Sequence, residues 1–478
     1  MRKPLAICVA LGGLSLLLPS EPSYDPWAWL VWGREIALFD LDTNGGPSWK
    51  PLPVLFTMVF SPLSKIGDGI PPALWLVVAR AGGLFALYMA FRLAGRLAGG
   101  DRPVRWGAGV LAAIALLLTP LWIRYMAHGN EAPMAIAMLL WAIDRHLDDR
   151  RDPGGLSPPY KRRFAALHPP GRRDALILGF LACLLRPEVA PFLGVYGVWI
   201  FWREPGLRRL AVGLAVALPV LWLVPEWIGS GNPLGAGQKA TGEPPWSLSL
   251  KDKPWLAALE RAHSLVGLVL EIGVAAAVGV AIARREKAVL ALAGVAAVWI
   301  LLIVGMTEAG FSGNSRYFLV PLAIACVLGG VGAAKLVQLA PRPPAQAAIA
   351  VLVLAAAGLY VQPRFDRVDF QLESAGRLAD LQNDLEQAVD RAGGPDAVAA
   401  NGVPTVNRGF VTRMAWEAKL SIGEVEDADG EAIIFAARSK QAGTPPRAGR
   451  GRKDLTTRFE VGRWKVLAPR GQPVAVAP

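Results

Sequence analysis

Apolar residues arrive along this chain in blocks of about 16 to 25 as far as residue 361 and then stop, and a block of that length is what a helix needs to cross a hydrocarbon core. In order they fall at 4–20, 72–98, 104–122, 132–146, 175–203, 208–228, a block ending near Arg284, then 288–306, 317–338 and 345–361. The 175–203 block is interrupted by Arg186-Pro187-Glu188 and has basic residues at both ends, so it reads as two short helices meeting near the outer surface. Non-helical backbone at that depth is tolerated only where protein or a water-filled cavity surrounds it. The pattern therefore predicts a mainly α, polytopic membrane protein of about eleven transmembrane helices.

Charge orients this bundle. Arg2 and Lys3 precede the first block, Arg92, Arg96, Arg102 and Arg105 follow the second, and the loop 147–174 carries Arg150, Arg151, Lys161, Arg162, Arg163, Arg172 and Arg173. Arg203, Arg208 and Arg209, then Arg284, Arg285 and Lys287, then Lys335 and Arg342 lie at later turns on the same side. Basic loops stay cytoplasmic, so the N-terminus is expected inside, the first loop, 21–70, outside, and the region after 361 outside. The opening MRKPLAICVALGGLSLLLPSEP has the form of a signal peptide but lacks a small-x-small site before Glu21, so it reads as an uncleaved first span.

Composition agrees: 53% of the 478 residues are hydrophobic and 18% charged, a membrane balance. The net charge of +12 would raise nucleic acid as a partner, but topology accounts for most of it, which removes that class. Cys8, Cys183 and Cys326 lie singly in apolar blocks and predict neither a disulfide framework nor a zinc site. After 361 the pattern changes to that of a small soluble α/β domain, residues 362–478. Leu378, Leu381, Leu385 and Val389 predict a helix over 370–391, with strands at 397–400, 432–437 and 464–467 and a helix at 410–420. Residues 438–455, rich in Gly, Pro and basic side chains, read as a mobile loop.

Candidate chemistry collects on the outer side. The first loop sets Asp25, Glu35, Asp40 and Asp42 among Trp27, Trp29, Trp32 and Trp49. Asp25, about five residues beyond the first span, can serve as a general base toward an acceptor hydroxyl or as an N-cap before Pro26. Asp40 and Asp42 form a DxD that can hold a divalent cation with a phosphate or simply be a solvated turn. Glu35, after Arg34, reads as a surface-paired residue. Glu131, opening the fourth span, is stabilised there by the helix dipole. Arg186 and Glu188 sit at the break, where ions are costly and tend to be functional. An arginine fork there suits a phosphate, and the competing reading is an internal Arg186–Glu188 pair. Arg316 and Tyr317 offer a second cation or an interfacial anchor. Lys239, in GSGNPLGAGQKA, is an anion contact on a covering loop, since a nucleotide-binding GK[ST] ending is missing. His128 and His263 are isolated and are given no role.

With YDPWAWLVWGREI, GNEAPMAIAMLLWAI, LLRPEVAPFL, GSGNPLGAGQKA and SRYFLVP in this order, the chain resembles the GT-C superfamily of polytopic glycosyltransferases. Within it, the polyprenyl-phosphate-sugar users akin to protein mannosyltransferases and aminoarabinose transferases are nearest, with an actinobacterial type of C-terminal appendage. The resemblance implies inverting transfer of a hexosyl or pentosyl group (mannosyl or arabinosyl among them) from a polyprenyl phosphate to a lipid, glycan or protein hydroxyl on the extracytoplasmic face of the cell membrane. It implies Asp25 as general base, Glu131 as the second-loop acid and Arg186 and Arg316 as phosphate contacts. The Asp-Glu pair of protein mannosyltransferases is Asp25-Pro26 here, so acceptor class does not carry over. A lipid phosphate is already a good leaving group, so one base and cationic stabilisation suffice. No cofactor is then required and a divalent cation is optional. The rival class is a transporter or lipid-linked-glycan flippase, for which Arg80 and Glu271 inside expected spans speak. Against it stand the acids at span ends and the lack of a visible internal repeat.

Overall fold

The computed structural model describes residues 1–19, 21–148, 170–241, 246–428, 432–446 and 454–471. Most of the loop expected over 147–174, and residues 447–453 of the one expected over 438–455, lie outside them.

The chain is mainly helical. In order the helices are α1 (Arg2–Leu14), α2 (Tyr24–Leu38), α3 (Pro51–Phe60), α4 (Ile70–Ala98), α5 (Arg102–Leu117), α6 (Trp122–Ala127), α7 (Ala132–Asp148), α8 (Pro170–Cys183), α9 (Ala190–Arg203) and α10 (Arg208–Ser230). They continue with α11 (Gly235–Ala240), α12 (Pro254–Val266), α13 (Leu268–Arg284), α14 (Lys287–Glu308), α15 (Leu319–Leu339), α16 (Pro343–Arg391), α17 (Gly394–Ala400), α18 (Val411–Glu417) and α19 (Ile422–Asp427). Among the described residues, Ile70–Ala98, Pro205–Ser230, Lys287–Glu308, Ser315–Leu339 and Pro343–Arg391 are each long and apolar enough to cross a membrane. A sixth crossing is counted if α12 and α13, bent by 90° at Gly267, form one. The remaining expected spans are helices of 13 to 17 residues, such as α1 and α7. The break at residues 184–189 separates α8 from α9 as the Arg-Pro-Glu interruption predicts.

The bundle is organised on α4 and α15. α4 packs on α1, α5, α7 and α15, and α15 packs on α5, α13 and α14. α15 is the innermost span, its apolar window 94% buried. Its glycines let neighbours approach: a Cβ on Gly330 would collide with the Ala108 carbonyl oxygen, the close packing that small residues give between membrane helices.

α16 differs from the expectation. The eleventh span and the helix over 370–391 are one element of 49 residues that runs through Pro363 unbroken. At about 1.5 Å per residue it is roughly 70 Å long, more than twice a hydrocarbon core of about 30 Å. Its far end carries a four-stranded sheet of order β1-β2-β4-β3, comprising β1 (Thr405–Val406), β2 (Ile434–Ala437), β3 (Leu455–Val461) and β4 (Trp464–Pro469). β1 and β2 are parallel and the other pairs antiparallel. The strand expected over 397–400 is the helix α17, which Pro395 initiates and whose burial is confined to Val398. β3 was not expected, because as an edge strand it buries only Phe459 and shows little alternation.

This sheet region shares one core with the first loop. Trp27, Trp29, Trp32 and Trp49 are at most 2% exposed and cluster with Leu381, Leu385, Phe410, Met414 and Trp464. The tryptophans therefore bind the loop to the domain.

Candidate active site

Five segments distant in sequence meet at the site, and the backbones of three of them are held by hydrogen bonds. The start of α2 is held from both sides. The Ser23 N–H donates to the His128 carbonyl at 3.1 Å, and Gln382 of α16 donates to the Pro22 carbonyl and accepts from Trp27 Nε1, both at 2.7 Å. Ser23 is the N-cap residue and no side chain caps this terminus, so Asp25, in the first turn, is left for other partners. Lys50 immediately precedes Pro51, with extended backbone, and the Leu52 N–H donates to the Leu184 carbonyl at 3.3 Å. That bond draws the start of α3 against the break after α8. Arg316 is set by Asn314, whose side chain accepts from its N–H at 3.1 Å.

These segments bring three cations and three carboxylates together. Arg316 Nη1 donates to Asp25 Oδ2 at 2.9 Å, and Lys50 Nζ lies 4.0 Å from the same oxygen. Lys50 also hydrogen-bonds Glu131 Oε1. Arg186 Nη1 donates to that Glu131 oxygen at 3.2 Å, and Arg186 Nη2 to Glu188 Oε1 at 3.0 Å and to the Arg316 carbonyl at 3.2 Å. Tyr317 presents its ring to both arginines, 5.4 Å from Arg186 and 5.9 Å from Arg316, and Trp29 to Lys50 at 5.3 Å.

Burial grades this cluster. Glu131, Arg186, Lys50 and Glu188 are all buried, whereas the side chains of Asp25 and Arg316 keep 18% and 30% of their surface. Burial alone would push the Glu131 carboxyl up, but Lys50, Arg186 and Arg316 outweigh it and hold it at about 2. The surroundings of Glu131 thus favour negative charge. Each of Glu131 and Glu188 has one oxygen with no partner among the described residues.

Of the residues chosen from the sequence, Asp25, Glu131, Arg186, Arg316 and Tyr317 converge here. The Arg186–Glu188 pair and the Glu131 contact coexist. Lys239 does not join them: it hydrogen-bonds the carbonyls of Thr43 and, at 3.2 Å, Gly45, pinning α11 onto the first loop. Asp42 accepts from the Asn44 N–H and side chain, both at 2.8 Å, which is the turn reading of the DxD; Asp40 precedes it in the same loop. Among the described residues no group of three or more His, Cys, Asp or Glu side chains could hold a metal ion. Glu35 is not a surface residue. It is 6% exposed, accepts from the Asp42 N–H at 3.1 Å, and burial pushes its carboxyl up to about 8. Arg34 turns from it to the carbonyls of Ala415, Trp416 and Leu420.

Arg80 and Glu271, the residues that favoured a transporter, have local partners. Arg80 donates to the Ser15 and Ala127 carbonyls, each at 2.9 Å, and Glu271 pairs with His263 at 2.8 Å. Sequence reasoning missed Lys50. The available signal was a lysine in a loop otherwise poor in basic residues, placed directly before the Pro-Leu-Pro that starts a helix.

No protein-family model and no curated protein sequence matches the chain. Solved structures do. ArnT from Cupriavidus metallidurans bound to undecaprenyl phosphate superposes with a TM-score of 0.60 at 12% identity, covering 100% of this chain and 99% of that one. The apo state of the same protein gives 0.56, 12%, 98% and 97%. The Archaeoglobus fulgidus oligosaccharyltransferase in complex with Zn and sulfate gives 0.52 at 13% identity, covering 87% of this chain and 61% of that one. At such identities the likeness is one of fold. The chain has the polytopic fold of these membrane proteins along its whole length, the fold that the GT-C resemblance implies.

Proposed function

We propose that the protein is an inverting membrane glycosyltransferase that moves a hexosyl or pentosyl group from a polyprenyl phosphate to an acceptor hydroxyl, on the extracytoplasmic face of the cell membrane. One observation carries the reading: a partly exposed carboxylate, Asp25, stands beside a buried set of cations, Lys50 and Arg186, with Arg316 shared between them. One of the two ArnT structures holds undecaprenyl phosphate, which supports a lipid phosphate as the donor group here.

In the proposed reaction the acceptor oxygen attacks the anomeric carbon, its proton passes to Asp25, and the bond between that carbon and the phosphate oxygen breaks with its electron pair on phosphate. Lys50, Arg186 and Arg316 stabilise the charge that grows there, which water-excluded cations do more strongly than solvated ones. Glu131 and Glu188 act as positioning residues that keep Lys50 and Arg186 in place when no anion is bound. An entirely apolar groove of about 330 Å³ between α8, α9 and α10 begins at Ala190, two residues beyond Glu188. It suits an isoprenoid tail whose headgroup lies at the break.

The test is product analysis after incubating the purified protein in lipid with a panel of polyprenyl-phosphate sugars. Sugar transfer is expected with one of them and its loss, by at least about a thousandfold, in Asp25→Asn, with undecaprenyl phosphate still bound. Near-normal turnover by Asp25→Asn sinks the assignment of the base, and transfer from none of the panel sinks the function.

A further inference from the structure

A second cavity of about 550 Å³ is lined by residues that flank the site in sequence, although Asp25 itself is not on its wall. Ser23, two residues before Asp25, and Ser315, next to Arg316, are on its wall, and so are Tyr125, His128, Arg124 and Arg261. Among the described residues that line it there is no carboxylate. Arg261 Nη1 donates to Ser315 Oγ at 2.9 Å and Arg124 is exposed. Neither forms an ion pair among the described residues, whereas Arg186 and Arg316 of the neighbouring site do.

His128 gives the cavity a second kind of contact. Its Nδ1 lies 2.9 Å from the Glu21 carbonyl, which can only accept, so the ring proton sits on Nδ1 and Nε2 keeps its lone pair. Nε2 is buried and has no partner in the described structure. Burial pushes the ring's titration down to about 4, so the lone pair persists at neutral pH. A lone pair of this kind accepts from a hydroxyl.

We infer that this cavity is the acceptor subsite and that it takes a saccharide bearing an anionic substituent, a carboxylate or phosphate close to the attacking hydroxyl. The inference rests on the reading of Asp25 as the base. Arg124 and Arg261 hold the anion, His128 Nε2 accepts from a neighbouring hydroxyl, and the attacking hydroxyl faces Asp25 past Ser23. Two guanidinium groups without an acidic partner among the described residues, beside a carboxylate-free wall, favour an anion over a neutral sugar by charge-assisted hydrogen bonds.

The test uses the full chain in lipid nanodiscs and two probes differing only at one carbon, methyl β-glucuronide and methyl β-glucoside, with binding read by saturation-transfer NMR. The glucuronide is expected to bind at least about tenfold more tightly, with its advantage lost at high salt and in the Arg124→Gln/Arg261→Gln double variant, whose folding is checked by thermal unfolding. Equal binding, no binding of either probe, or a preference that survives in the double variant overturns the inference. Undecaprenyl phosphate binding, followed in parallel, is expected to be unchanged in the double variant. A tenfold fall there would assign the two arginines to the donor phosphate and also overturn it. Failure of the wild-type protein to bind undecaprenyl phosphate would count against the transferase reading, while an arginine-dependent glucuronide preference would still leave the subsite in place.

Discussion

Helix α2 separates two clusters made from the same ingredients, and they behave oppositely. On one side Trp29 faces Lys50, and the three cations Lys50, Arg186 and Arg316 meet Asp25, Glu131 and Glu188. On the other, Trp27 faces Arg413 at 4.2 Å, and that single cation serves Glu386 at 2.8 Å, Glu417 at 2.7 Å and Glu21 at 3.9 Å. In the first, Glu131 is held down at about 2 in spite of its burial. In the second, burial and the neighbouring Glu386 push Glu417 up to about 7, and burial pushes Glu21 up as well. The ratio of cations to acids decides the difference: where they are equal in number a further anion is accommodated, and where acids are in excess it is repelled. The first cluster is suited to a phosphate, and the second clamps the sheet region to the loop.

The comparison is broken most severely by Arg186→Met. It leaves Glu131 with Lys50 as its direct ion partner and Glu188 with none among the described residues, so a loss of about 3–5 kcal/mol in stability is expected, with undecaprenyl phosphate binding lost in whatever protein folds. Unfolding midpoints and a lipid-binding assay read the two effects separately, and normal lipid binding would return Arg186 to a purely structural role. Arg413→Met should cost about 3 kcal/mol and yet leave turnover per folded molecule within about threefold, because it cuts the clamp and not the site. A turnover loss as deep as that of Asp25→Asn would merge the two clusters into one functional unit.

The smallest effect is in pH dependence. Glu417 has its folded titration raised, so the folded protein binds more protons than the unfolded chain between about 4.3 and about 7. Its contribution to stability is complete below that window and is lost as pH rises through about 7. Glu417→Gln should therefore flatten the fall in unfolding midpoint between pH 5 and pH 8. An unchanged slope would mean that Glu417 titrates normally and that the acid excess around Arg413 is relieved in another way.

The site's acids and arginines were legible in the sequence because each violates a local rule. Asp25 and Glu131 are polar residues at the edges of apolar blocks, and Arg186 breaks one. Lys50 was hard to see because a lysine in a loop breaks no rule, and its burial comes from Trp29 and from the Leu52–Leu184 bond, the latter joining segments over a hundred residues apart. Glu35 was read as exposed for the same reason: neighbouring Arg34 suggested a pair, but the arginine had carbonyls of α18 and its following turn to satisfy. Span positions followed from block length, whereas the joining of the eleventh span to the next helix did not. Pro363 marks a break by local preference, yet the helix continues through it into the packed half that begins at Ala375.

That unbroken α16 joins a segment long and apolar enough to cross a membrane to the sheet region without a hinge. A helix segment whose apolar length differs from the hydrocarbon core adjusts by tilting, and here the tilting segment is rigidly continued for some 28 residues beyond Pro363. Over that arm of about 40 Å, a rotation of about 5° sweeps the tip through roughly 4 Å. Gln382, which grips Pro22 and Trp27 at the start of α2, rides on the arm. A change in the tilt of α16 would therefore be felt at the start of α2, where Asp25 stands.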